Sequence, residues 1–201
     1  MHRPVQPEIA IELPKTLSRF CETVIANHSG NWPPSEDVIA HQFISFFEID
    51  GLLGMWDLEQ LCRAIGVEVV SRDLPKPLRG HNCTYQGKSE IVVGTVQGAA
   101  GLGSTEHTLL HELRELIEYE FRRLGRAVAA NFPDQESRAE SFASHVRALA
   151  GLKAAKCVFE LVGGIESRLL QFIAVIVVAA LAMGHYLACV NLPQWEDRFP
   201  S

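Results

Sequence analysis

Thr108-Leu109-Leu110-His111-Glu112-Leu113-Arg114-Glu115-Leu116-Ile117 decides how the chain is read. Leu109, Leu113, Leu116, Ile117 and Leu124 recur at helical spacing, which predicts an amphipathic helix. Ser104 suits its N-cap, Glu106 its positive N-terminal end, and Gly125 its close after Arg122-Arg123. His111-Glu112-Leu113-Arg114-Glu115 is one letter from H-E-x-x-H, in which two His at i and i+4 hold Zn²⁺ and the intervening Glu activates a water. Here the second His position holds Glu115.

Residues four apart on a helix lie about 6 Å apart along one face, so His111 and Glu115 can share an ion, while Glu112 projects to the side as a base would. His107 and His111 form a rival pair, but Thr108 follows His107 where a catalytic carboxylate is needed. His107 and Glu115, about 12 Å apart along the axis, cannot serve one ion. A third ligand is expected from a neighbouring helix. Glu136 is the first choice, in the first turn of a helix beginning near Asp134, at the edge of the stripe Ala139, Ala143 and Val146. Glu140, one turn on, is the second. A plainer reading competes: His111, Glu115 and Glu118 lie opposite the apolar face and would then be an ordinary solvated surface.

Outward from this helix, the N-terminal third reads as packing helices. One covers residues 14 to 29 (Leu17, Phe20, Val24, Ile25), a second follows Ser35 (Val38, Phe43, Ile44, Phe47), and a third ends at Gly66. Val67, Val69 and Val70 then suggest a strand, and Glu90-Ile91-Val92-Val93-Gly94 another. Residues 80 to 88 between them read as polar and turn-rich, with a hairpin tip at Gln86-Gly87. The Gly- and Ala-rich run 94 to 103 lacks the spacing of a phosphate loop and reads as a connector.

The fold class is therefore α+β, mainly helical, with a small antiparallel or mixed sheet and a C-terminal apolar helix. The expected divisions are a helical region over 1–56, a metal-site domain over 57–160 and a tail over 165–201. Leu169 to Val190 carries no Asp, Glu, Lys or Arg over about twenty-two residues, enough to span a bilayer core of roughly 30 Å. With Lys153, Lys156 and Arg168 before it, its N-terminal side is expected to face the cytoplasm. The alternative is a buried or oligomerisation helix.

A net charge of −6 over 201 residues gives no basic footprint and argues against direct nucleic-acid binding. The five cysteines (Cys21, Cys62, Cys83, Cys157 and Cys189) contain no C-x-x-C pair, fall mostly inside apolar helical patterns, and read as reduced, buried thiols of an intracellular protein. The N-terminus shows no secretory h-region, so the expected setting is the cytoplasm, with residues 169–190 as the membrane tether. No G-x-S-x-G elbow occurs, and Cys83 with His81 is too local to suggest a cysteine hydrolase.

The run from Ile65-Gly66-Val67 through Leu74-Pro75 and Gly80 to Ile91-Val92-Val93, followed by Thr108 to Leu113, resembles the ImmA/IrrE family of metallopeptidase-like proteins. Glu136-Ser137-Arg138-Ala139-Glu140-Ser141-Phe142-Ala143 is similar to that family's second motif. The likeness covers roughly residues 57 to 150. It implies a zincin-like fold, with His111 and Glu136 as ligands, Glu112 as base and Glu115 at the second ligand position. Zinc is the implied metal, with manganese or iron as alternatives. The implied activity is cleavage of a regulatory protein, such as a helix-turn-helix repressor. The family's customary helix-turn-helix domain is not evident here. Carboxylates bind zinc at about 2.0–2.2 Å, so His111, Glu115 and Glu136 are an acceptable set. Two anionic ligands weaken the metal as a Lewis acid, which leaves two expectations. One is slow catalysis; the other is a non-catalytic protein that binds a regulatory partner through the same cleft.

Overall fold

The motif segment forms Thr105–Arg123 (α4) and folds back along Phe132–Gly163 (α5). Two local devices set this hairpin. At the end of α4, Arg126 N–H bonds Phe121 O at 2.8 Å and Gly125 N–H bonds Arg122 O at 3.0 Å, a paired closure that needs the left-handed Gly125 (φ 73°). At the start of α5, Asn131 Oδ1 accepts from Asp134 N at 2.9 Å and Asp134 Oδ2 accepts from Ala130 N at 2.8 Å. Pro133 sits in this first turn, where a missing N–H costs nothing. The helix thus begins two residues before the expected Asp134.

The computed structural model describes residues 16–75, 78–85, 88–94, 105–163 and 176. Ser104, residues 86–87 of the expected hairpin tip, the connector 95–103 and the apolar stretch 169–190, apart from Ile176, therefore lie outside the described residues. Among the described residues no helix is long and apolar enough to cross a membrane.

Before the hairpin come Leu17–Asn27 (α1), Glu36–Phe46 (α2) and Met55–Ala64 (α3). Gly66, with φ of 82°, makes the turn out of α3 into Val67–Arg72 (β1). Two further strands follow, Gly80–Tyr85 (β2) and Lys88–Gly94 (β3). The sheet is mixed, in the order β1-β3-β2, with β1 parallel and β2 antiparallel to β3. Strand β2 corrects the expectation of a turn-rich segment. Gly-His-Asn-Cys-Thr-Tyr has no apolar alternation, and pairing with β3 alone holds it extended, as suits an edge strand.

The buried residues join all layers into one cluster. Phe20 of α1 meets Phe43 of α2 edge-on at 5.6 Å, and Phe43 meets Phe142 of α5 at 5.4 Å. Leu109, Leu113, Ile117 and Phe121 of α4 and Ile91 and Val93 of β3 belong to the same core. Both β2 and β3 pack against α4. Two of the five cysteines depart from the expected burial: Cys21 and Cys62 are buried, but Cys83 and Cys157 are exposed, and Cys189 lies outside the described residues.

Helix α4 does not have the solvated polar face that the plainer reading required. Arg114 and Glu118 are each 1 % exposed. Arg114 forks onto Glu36 of α2, with Nε and Nη2 donating at 2.8 Å each, and Nη1 donates to Glu118 Oε2 at 3.3 Å. Glu118 Oε1 accepts from the Val128 and Ala129 amides at 3.0 Å each, and Arg138 of α5 reaches Glu36 Oε1 at 3.3 Å. This network ties α2, α4 and α5 at one depth.

Removing one partner from a buried ion network leaves the others charged and unpaired, at about 3–5 kcal/mol. Arg114→Met is therefore expected to lower the unfolding free energy by about that amount. Urea denaturation of the purified variant checks this, and a loss under about 1 kcal/mol would show that the network is not what holds α2 to the hairpin.

Candidate metal centre

Helices α4 and α5 run antiparallel, so side chains four apart on one face the corresponding side chains of the other. His107, His111 and Glu115 line α4, and Glu136 and Glu140 line α5. The order across the gap follows from the distances. His107 Nε2 lies 2.9 Å from Glu140 Oε1, His111 Nδ1 lies 3.4 Å from Glu140 Oε2, and His111 Nε2 lies 3.4 Å from Glu136 Oε2.

One ligand atom each from His111, Glu115 and Glu136 lie within 4.8 Å of one another, and this His/Glu/Glu cluster could hold a metal ion. The 3.4 Å between His111 and Glu136 is about the donor separation that a tetrahedral ion with bonds near 2.0–2.2 Å requires. The expected trio is therefore brought together. Glu140, the second choice, stands on the Nδ1 side of His111 and leaves Nε2 facing Glu136. Of the rival pair, His107 is buried with Nε2 against Glu140 and is not part of this cluster.

Strand β2 supplies what the sequence reading missed. A Cβ at Gly80 would sit 2.7 Å from Thr108 Cγ2, 3.0 Å from Val92 O and 3.1 Å from Glu112 Oε1, so only glycine lets the strand lie this close to α4. Two residues on, and so on the same strand face, Asn82 Nδ2 donates to Glu112 Oε2 at 2.8 Å and to Glu115 Oε2 at 2.6 Å. From α5, Gln135 Nε2 donates to Glu115 Oε1 at 3.2 Å. No helical periodicity points to Asn82. Gln135 stands out only as the neighbour of Glu136.

Strand β3 is not free to align an extended peptide through its main chain. Residues 89–94 of β3 are paired on one side with β1 and residues 88–93 on the other with β2, so its main-chain groups are taken. The edge on the site side is β2. Elsewhere near the two helices, His107 is engaged by Glu140, His145 Nδ1 lies 2.8 Å from Ser141 O, and Tyr119 is exposed.

The electrostatics are those of a carboxylate-rich, partly buried pocket. Burial disfavours a charged His111, but its contacts with Glu136 and Glu140 prevail and hold its pKa at about 10. Burial raises Glu115, and its hydrogen bond with Glu136 raises it further, whereas Glu136 is lowered chiefly by His111. Burial acts to raise Glu140, yet the bonds from His107 and His111 leave it well below the usual carboxylate range. Glu112 is pushed up to about 7, first by burial and then by the charge of Glu115, against the opposing bond from Asn82. His111 and the Glu115–Glu136 pair thus hold protons on lone pairs that a cation would use.

No family model matches the chain, and no curated protein or solved structure matches it significantly.

Because proton and metal compete for His111 and Glu115, apparent metal affinity is expected to rise with pH. The gain is about tenfold per pH unit for each proton released. Competition with a chromophoric chelator at pH 6, 7 and 8 measures this, and an affinity independent of pH would remove these two residues from the ligand set. His111→Ala and Glu136→Ala are each expected to purify without stoichiometric metal.

Proposed function

We propose that this chain is a metal-dependent endopeptidase, zinc being the first expected metal and manganese or iron the alternatives, that acts on a regulatory protein. The observation that carries the proposal is the convergence of His111, Glu115 and Glu136 on one point with Glu112 beside them. The resemblance of the two helix motifs to the ImmA/IrrE family supports the same reading and suggests a helix-turn-helix repressor as substrate.

When bound, a divalent metal supplies polarisation of a peptide carbonyl and acidification of a water. The remaining work falls to the chain. Glu112 takes a proton from the attacking water and returns it to the departing amine, a task suited to a carboxyl that titrates at about 7. Asn82 holds that carboxyl through Oε2. Strand β2, at the sheet edge, offers main-chain groups to an extended peptide, with side chains gripped alternately.

A second reading draws on Glu115: with two anionic ligands the metal is a weaker Lewis acid, and the cleft then binds a regulatory partner without cutting it. The proposed setting is the cytoplasm, with the apolar residues 169–190 as tether.

General acid–base groups contribute about 10²–10⁴-fold. Glu112→Gln is expected to keep its metal and lose cleavage of a quenched-fluorescent peptide library by at least about 100-fold. Wild-type protein purified without an affinity tag that lacks zinc, manganese and iron would sink the peptidase reading. Metal-replete protein that cuts nothing would favour the partner-binding one.

A further inference from the structure

One nitrogen joins the two carboxylates that matter most. Glu112 and Glu115 leave α4 three residues apart, and Asn82 Nδ2 donates to both, at 2.8 Å and 2.6 Å. A primary amide carries two N–H groups, so each carboxylate takes one and the nitrogen's donors are fully used. Both partners are acceptors, which sets the amide orientation: its oxygen cannot face them. The other oxygen of Glu115 is taken by Gln135 Nε2 at 3.2 Å, so both of its oxygens are oriented by neutral donors from two different elements.

The reach of Asn82 is built into the strand. Gly80 allows β2 to approach α4 within a distance no Cβ would permit, and pairing of Asn82 with Ile91 of β3 fixes its register over the motif helix. A one-residue slip of β2 would turn Asn82 to the other face of the sheet and break both bonds. A histidine at 115 would place a different demand on this shell. Its outer N–H needs an acceptor, and Asn82 is committed as a donor by Glu112.

We propose that Asn82 is a positioning residue that fixes the ligand carboxylate of Glu115 and the base carboxylate of Glu112 relative to each other, so that position 115 is built to be a carboxylate ligand. The inference rests on reading the His111–Glu115–Glu136 cluster as a metal centre. Its effect on metal binding runs through Glu115 alone, because Glu112 is the base and not a ligand in that reading. This makes the two arms separable.

The experiment is a cycle of zinc affinities, by competition with a chromophoric chelator, in the full chain, Asn82→Ala, Glu115→His and the double variant. Loss of an outer-shell partner typically weakens a metal by about 10–100-fold, and Asn82→Ala is expected to fall in that range. In the Glu115→His background the same change should move zinc affinity by less than about threefold, its partner at 115 being gone. Urea denaturation confirms the fold of each variant. Should Asn82→Ala fail to fold, Asn82→Ser, too short to reach either carboxylate, carries the comparison. Equal zinc affinity with and without Asn82, or an equal loss in both backgrounds, overturns the positioning role while leaving the metal centre in place. Failure of the wild type to bind zinc, manganese or iron overturns the metal centre and the inference with it.

Discussion

Helix α4 packs against α1, α5 and the sheet, so each polar group it buries must be met by a hydrogen-bond partner. Much of the architecture follows from satisfying that demand. Arg114 is met by Glu36, which Arg138 also reaches, and Glu118 by the amides of residues 128–129, at the end nearer the α4–α5 turn. His107 and His111 are met by Glu140 and Glu136. Glu112 and Glu115 are met by Asn82 and Gln135. The structural network and the candidate site occupy successive levels along one helix and share α5 as their second wall.

That sharing has an energetic consequence. The ion network satisfies its charges completely, with four carboxylate and guanidinium groups and two backbone amides in mutual contact. The site does not: Glu112, Glu115, Glu136 and Glu140 gather around His111, with His107 against Glu140 alone, and protons make up the difference on His111 and between Glu115 and Glu136. Four carboxylates held together at the edge of a core are unfavourable unless something cationic compensates them.

How much of this was legible in the sequence depends on which interactions are local. The spacing of Leu109, Leu113 and Ile117 identified α4, and the i, i+4 relation of His111 and Glu115 placed both on one face. Glu136 was found because a turn after Gly125 and a helix start near Pro133 bring the first turn of α5 back to the middle of α4. Glu118 was not legible as buried, because a helical wheel shows which face is polar and not what covers it. Here Arg114 and the amides of residues 128–129 do so. Strand β2 was not legible either. Its residues carry no apolar alternation, and its extension is imposed by β3. Missing the strand meant missing Asn82.

The substitution at 115 is the point where local and tertiary information meet. In sequence it is a histidine motif with one ligand exchanged, which reads equally as a tuned site or a retired one. A retired position has no reason to keep a dedicated shell, since an unneeded buried carboxylate is costly and readily replaced by an apolar or amide side chain. Glu115 instead has an amide donor on each oxygen, from β2 and from α5, and stands within ligand distance of His111 and Glu136. One of those donors is simultaneously held by Glu112, so removing the carboxylate at 115 would also free half of what orients the carboxylate at 112. The surroundings of residue 115 are thus those of an oriented carboxylate, with an amide donor on each of its oxygens.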